Sequence, residues 1–249
     1  MSLLPGSESF AGRLLRLPLR AIPSNATVRV LRGPLRGARW VVGSGSHGCW
    51  LGHYEQHVQR ALVSLLRPGL AVYDVGANVG FFTLLAGRLV GVDGTVVALE
   101  PSSRNVEFLE RHVRLNSLDN VRVMPVAAGR ESGRGTFRTG GDSSTGRLAP
   151  EGDLGVEVRR LDDLPDARDV RAPDVIKIDV EGAEEDVLRG AARILRLHHP
   201  SILLAFHGSR RWRACSELLQ EHAYETRLIG GSLESGLGEV LATPAGAPT

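Results

Sequence analysis

Three stretches of the chain hold residue types from which a reaction can be built. The first, "VYDVGANVGFFTLLAG", occupies 72–87 and runs apolar, acidic, glycine-rich and apolar again. The second, "VIKIDVEGAEEDVL", occupies 175–188 and sets Lys177, Asp179 and Glu181 two apart in an otherwise apolar run. The third, "LLAFHG", ends in His207-Gly208. If each stretch closes a strand of one α/β sheet, all three meet beyond the carboxyl ends of the strands, where such sheets bind ligands.

The first stretch narrows the ligand. A dinucleotide fingerprint needs G-x-G-x-x-G, and Gly76-Ala-Asn-Val-Gly80 lacks the middle glycine. A phosphate-binding loop ends in Gly-Lys-Ser/Thr, and this loop has no lysine. Asp74, at the end of the strand, repels a phosphate and suits a cationic ligand. S-adenosylmethionine carries an ammonium and a sulfonium and no phosphate. Asp74 with the loop carbonyls suits the ammonium, and the helix start near Asn78 suits the carboxylate. Gly76 and Gly80 let the backbone turn and approach without a Cβ. Glu100 ends the next strand in "VVALEPS", roughly two dozen residues on, where an acid accepts both ribose hydroxyls. Its neighbour Pro101 is grouped with it as a cofactor contact. Asn105 offers a polar contact, as does Asn116, although both also suit a helix surface. Ala127, ending the third strand, suits a flat adenine face.

In a strand, Lys177, Asp179 and Glu181 share one face. A lone buried charge is costly, so Lys177 is expected to pair with Asp179 or Glu181. Gly182 then turns the chain into a helix. Asp179 falls where a carboxylate faces the methyl group of a cofactor bound above the first strand. There it would orient an acceptor hydroxyl or take its proton; the competing reading is an ion pair with a helix cap. His207, with an ordinary pKa near ~6.5, is a candidate base; the competing reading is a surface histidine. His198-His199 precede Pro200 at the opposite sheet edge and read as structural. No metal is assigned, because Asp179 and Glu181 would need a third ligand from elsewhere.

Elements that position these residues follow from the apolar pattern. Residues 1–24 read as a loosely held arm, and 27–42 as a hairpin about a Gly-Pro turn. Apolar residues at 54, 58, 61, 62, 65 and 66 give a helix ended by Pro68-Gly69. Strands follow at 70–75, 95–99, 121–127, 174–179 and 201–206. Helices lie at 79–90, 102–115, 183–195 and 211–222, with Ser102 or Ser103 as the N-cap of the second. Short extended pieces are expected near 135–138 and 156–159. A closing pair of strands is expected at 224–229 and 239–243. The alternation predicts a mostly parallel sheet with helices on both faces. Domain bounds are set at 1–45 for the arm and hairpin, 46–243 for the catalytic domain and 244–249 for a flexible tail.

The 249 residues suffice for a large single core, and the formal net charge is +2. Residues 1–60 carry eight arginines against two acids, and the rest 22 basic against 26 acidic residues. The basic start could meet an acidic partner or be solvated surface. Two cysteines are too few for a disulfide framework or a Cys-based zinc site. No apolar run nears the ~20 residues of a membrane span, nor a signal peptide's core. The expectation is a cytoplasmic protein without membrane insertion. Twelve aromatics are few for a nucleic-acid reader that stacks bases, so no nucleic acid is expected. A homo-oligomer stays open.

"GCWLGHYE", "VYDVGANVGFFTLLAG", "ALEPSSRNVEFLERHVRLN", "RRLDDL" and "DVIKIDVEGAEEDVLRGA" resemble, in order and spacing, the FkbM family of S-adenosylmethionine-dependent methyltransferases. The resemblance covers about residues 46–208. It implies a class I methyltransferase (Rossmann-like) fold with a seven-stranded sheet whose last strand is antiparallel. It also implies O-methylation of a sugar, polyketide or similar small natural product. Asp74, Gly76, Asn78, Gly80 and Glu100 would hold the cofactor. Asp179 and Glu181 would lie at its methyl end, with Tyr54 and Glu55 of "GHYE" as a cap. Family members often place an acid in the fifth strand before His-Gly. Here the strand reads Ala205-Phe206-His207-Gly208, which names no acidic partner for His207. The acceptor is expected against the 139–155 loop, with Arg147 as a candidate contact, and against the hairpin. Two alternatives remain: a non-catalytic S-adenosylmethionine-binding partner subunit and an NAD-dependent oxidoreductase.

Overall fold

A computed structural model describes residues 22–138, 146–148, 151–166 and 170–246. Most of the predicted N-terminal arm, the 139–145 part of the acceptor loop, the side chain of Arg147 and the last three tail residues lie outside them.

At the centre lies a sheet built on β3 (Ala71–Val75) and β10 (Val175–Ile178), with every residue of both strands buried. Strands covered on both faces read as near-continuous apolar runs, as "AVYDV" and "VIKI" do. On one side follow β4 (Thr95–Leu99) and β5 (Val121–Met124). On the other follow β11 (Ser201–His207), β13 (Leu237–Pro244) and the edge strand β12 (Tyr224–Ser232). The order is β12-β13-β11-β10-β3-β4-β5. The strands are parallel except β13, which runs antiparallel to both its neighbours. The strand order reverses between β3 and β10, so a crevice opens there at their carboxyl ends.

One face of the sheet packs Tyr73, Val75, Ile176 and Ile178 into a core with α5 (Glu184–Arg189), α6 (Ala192–His198) and α7 (Ser209–Glu221). The opposite face packs Val72, Val175 and Leu203 against α2 (Gln56–Leu65) and α3 (Phe81–Val90). Two further helices are α1 (His47–Leu51) and α4 (Ser103–Leu115). Several boundaries differ from the periodicity for local reasons. The helix expected from 79 starts at Phe81, because Asn78 (φ +50°) and Gly80 (φ +92°) adopt left-handed backbone. The strand expected over 121–127 stops at Met124. Pro125 has no N–H for the ladder, and β6 (Ala127–Ala128) joins a second sheet instead. That sheet has the order β6-β9-β7-β8, with β7 (Gly133–Arg138), β8 (Arg147–Leu148) and β9 (Leu154–Arg159). The single helix expected over 183–195 is two, divided at Gly190, where a Cβ would strike the Gly129 carbonyl. Ser102 is the N-cap of α4, yet its hydroxyl makes no capping bond.

The hairpin, β1 (Thr27–Arg29) with β2 (Arg39–Val41), is tied into the main body. Trp40 is fully buried and stacks at 3.9 Å on His112 of α4. His112 Nε2 accepts the Val41 N–H (3.0 Å), and Nδ1 donates to the Val79 carbonyl (2.7 Å). Asn116 bonds both the N–H and the carbonyl of Arg39 (2.8 and 2.9 Å). One buried imidazole thus links the hairpin to the turn before α3. Burial lowers its pKa to about 4, so it is neutral.

Candidate active site

Beyond the carboxyl ends of β3, β4, β10 and β11 lies a cleft of about 1470 Å³. Its wall at the β3–β4 end is largely backbone. Gly76 sits at φ +75°, and a Cβ there would run into the Asp179 carbonyl, so only glycine lets the β3 and β10 loops close together. The Gly76 and Ala77 N–H groups both donate to the Leu99 carbonyl (3.0 Å each). Gly80 does not line the cleft; a Cβ there would meet Leu109 of α4, so its part is packing.

Glu100 is the polar centre of this end. Its carboxylate accepts the Asn78 N–H (2.8 Å), the Ser102 N–H (3.0 Å) and the Asn105 amide (3.3 Å). Burial raises the Glu100 pKa, and the bonds from Ser102, Asn78 and Asn105 oppose it. A carboxylate has room for about four donors, so a direction remains for a ligand hydroxyl. The buried Asn78 Oδ1 has no hydrogen-bond partner among the described residues. Pro101, Asn105 and Ala127 line the same end. A glycine cradle, an under-bonded carboxylate and an unsatisfied amide oxygen fit an adenosyl ligand's hydroxyls and amino acid group.

Asp74 stands apart from its expected place. It is 1% exposed and does not line the cleft. In register it lies directly beside Lys177 of the neighbouring strand, so the two side chains share a face. The Thr83 hydroxyl donates to Asp74 Oδ2 (2.6 Å), and Lys177 Nζ lies 3.4 Å from Oδ1. Asp74 is thus buried and paired to Lys177, outside the lining of the cleft. Lys177 also lies 3.6 Å from Asp179 and 5.3 Å from the centre of the Phe82 ring. Burial pulls the lysine pKa down, but Asp74, Asp179 and Glu55 outweigh it, so the net shift is upward.

At the β10–β11 end the wall is side chains. Asp179, Glu181 and His207 offer ligand atoms within 4.8 Å of one another. His207 Nε2 lies 3.5 Å from Glu181 and 3.9 Å from Asp179. Glu181 holds left-handed backbone (φ +53°) before Gly182 (φ +111°), a costly conformation of the kind kept at functional sites. Glu184, the first residue of α5, is fully buried. Its Oε1 accepts both the Gly182 N–H and the His207 Nδ1–H, at 2.8 Å each. The hydrogen bond to Glu184 raises the His207 pKa to about 9; burial opposes this, and the charges of Glu184, Glu181 and Asp179 reinforce it. Glu184 was absent from the residues predicted from sequence. An acid in a helix's first turn reads as solvated, and only the apolar residues around it signalled burial.

Tyr54 and Glu55 line the cleft from the start of α2. Tyr54 packs on Phe81 and Phe82 at 5.3 and 5.8 Å, and Gln59 bonds its carbonyl. Burial raises the pKa of both residues; at Glu55 a hydrogen bond to Tyr54 opposes it and Asp179 adds to it. His57 of α2 meets Glu239 of β13 at 3.0 Å across this end of the cleft. Of the residues predicted from sequence for the site, Asp74, Gly80 and Asn116 do not line the cleft, the side chain of Arg147 lies outside the described residues, and the others line it.

A seven-stranded sheet in this order, with its crevice at the reversal, is the fold of class I S-adenosylmethionine-dependent methyltransferases. The Methyltransferase FkbM domain matches residues 74–226, and the chain belongs to that family. It is an S-adenosylmethionine-dependent methyltransferase. Hexuronic acid methyltransferase AglP of Haloferax volcanii is 25% identical over 178 residues, 70% of this chain and 71% of its own. 2-O-methyltransferase NoeI of Sinorhizobium fredii is 29% identical over 161 residues, 55% of this chain and 64% of its own. The crystal structure of Methyltransferase FkbM from Methylobacillus flagellatus shares the fold, with a TM-score of 0.50 and 20% identity over 76% of this chain and 55% of that one. No helix of the described residues is long and apolar enough to cross a membrane.

Proposed function

We propose that the chain methylates a hydroxyl oxygen of a small polyhydroxylated acceptor, a sugar or comparable natural product. The observation that carries this reading is the meeting of Asp179, Glu181 and His207 in the cleft, across from Glu100 and the Gly76 loop. AglP and NoeI, named for a hexuronic acid and for 2-O-methylation, support oxygen on a sugar-like acceptor.

In this reading Glu100 takes a ribose hydroxyl, and the 76–78 backbone with Asn78 takes the amino acid end. Pro101, Asn105 and Ala127 flank the adenosyl group, and Tyr54 and Glu55 cap it. S-adenosylmethionine supplies an electrophilic methyl carbon on a sulfonium. Asp179 and Glu181 orient the acceptor hydroxyl in line with that carbon, and His207 Nε2 removes its proton. Alignment in a water-poor cleft is worth roughly 7–11 kcal/mol at best, and the base adds about 10²–10⁴-fold. Asp74 acts from below by keeping Lys177 neutralised and Asp179 in place. No stable membrane insertion or nucleic acid is involved.

The test is incubation of the purified chain with S-adenosylmethionine and panels of sugar, polyketide and amine acceptors, followed by mass spectrometry. A gain of one methyl, located on oxygen by fragmentation, is expected. Transfer to nitrogen alone would overturn the reading.

A further inference from the structure

We propose that Glu184 is the positioning residue of the reaction: its buried carboxylate holds the His207 Nδ1–H and leaves Nε2 to receive the acceptor's proton. This rests on the reading of His207 as the base.

A carboxylate can only accept, so a 2.8 Å contact between Glu184 Oε1 and His207 Nδ1 requires the proton on Nδ1. The second nitrogen, Nε2, then carries the lone pair when the ring is neutral. Nε2 faces Glu181 and Asp179 at 3.5 and 3.9 Å, both beyond ordinary N–H···O bonding distance. The gap is on the cleft side, where an acceptor hydroxyl has room to enter. Glu184 touches neither cleft nor solvent, being 0% exposed and absent from the lining. It acts through His207 and also through the Gly182 N–H. One carboxylate thereby clips the strained 181–182 turn, which carries Glu181, to the histidine of the next strand. The same division of labour, an acid fixing the tautomer of a general base, operates in serine hydrolases.

The groups facing His207 come from every neighbouring element. They are Glu184 of α5, Asp179 and Glu181 after β10, and Arg211 of α7, which donates to the His207 carbonyl at 2.7 Å. From β13 the paired residue is the uncharged Leu237. In the step itself the acceptor O–H bond breaks and its proton joins Nε2. The freed pair forms the O–C bond, and the C–S pair stays with the cofactor's sulfur. The resulting imidazolium remains paired to Glu184 until it loses its proton to water.

The experiment is the pH profile of kcat for wild type, Glu184→Gln and His207→Asn, with cofactor affinity measured by calorimetry. In wild type kcat should rise to a plateau with a midpoint near 9. In Glu184→Gln the midpoint should fall toward the ordinary histidine value of ~6.5, and the plateau should drop by about 10-fold or more. Cofactor affinity should not change. An impaired His207→Asn beside a Glu184→Gln with wild-type midpoint and plateau overturns the Glu184 role alone. Full activity in both variants overturns the base reading and this proposal with it. Should Glu184→Gln not fold, nitrogen NMR of the wild-type histidine ring decides. An Nδ1–H tautomer above the midpoint is expected, and an Nε2–H tautomer overturns the proposal.

Discussion

At the tips of β3 and β4 the cleft is shaped by backbone, whereas at the tips of β10 and β11 it is shaped by charged side chains. The first end relies on Gly76 against the Asp179 carbonyl and on backbone N–H groups aimed at Glu100. The second relies on His207, Glu184, Glu181, Asp179 and Lys177, contributed by two strands, the turn after β10 and a helix. Backbone geometry suits a ligand that never varies. A side-chain cluster can be retuned one residue at a time, which suits an end that selects acceptors and moves protons.

Variants at the two ends should fail in different ways. The largest effect is expected beneath both. Asp74→Ala leaves the buried Lys177 without its closest partner and should cost about 3–5 kcal/mol of stability, read from denaturant unfolding. Normal stability with lost cofactor binding would instead restore direct contact between Asp74 and the cofactor. Next, His207→Asn should lower kcat by about 10²–10⁴-fold while calorimetry shows unchanged cofactor affinity. Weakened cofactor binding there would erase the distinction between the ends.

His112 offers a pH test of the backbone end. Its folded pKa of about 4 lies below the ordinary 6.5, so the unfolded chain binds the proton more readily. Its contribution is full above pH 6.5 and is lost as pH falls toward about 4. The loss is worth about 3 kcal/mol. Unfolding of wild type and His112→Asn across that window should give a steeper acid loss for wild type; parallel curves would count against it. The smallest effect is expected at Glu100. Glu100→Gln should weaken cofactor binding by about 10- to 100-fold, the value of a charged hydrogen bond. Gln offers one acceptor oxygen where Glu100 uses two, so about 1–3 kcal/mol of stability should be lost with it, while the pH profile of the bound enzyme stays as it was.

Much of the β3–β4 end of the cleft was readable before any fold was known. Glycines that must adopt left-handed backbone, and an acid at a strand end, are local features, so Gly76, Asn78 and Glu100 could be placed from "DVGANVG" and "ALEPS". The strand Thr95–Leu99 falls on its expected residues for the same reason. Less could be read where neighbours distant in sequence decide. The pairing of Asp74 with Lys177 depends on strand register, which no local pattern states.

The sequence by itself determined the family and the alternation of strands and helices that brings Glu100, Asp179 and His207 to one edge of the sheet. Those follow from periodicity and turn chemistry within a few residues of each position. Only the tertiary structure decided which charges meet. Glu184 lies 23 residues from His207 and became its partner because β10 and β11 run parallel and adjacent. A buried Glu184 at the start of α5 beside a half-buried, cleft-lining His207 at the end of β11 is what turns that neighbourhood into chemistry.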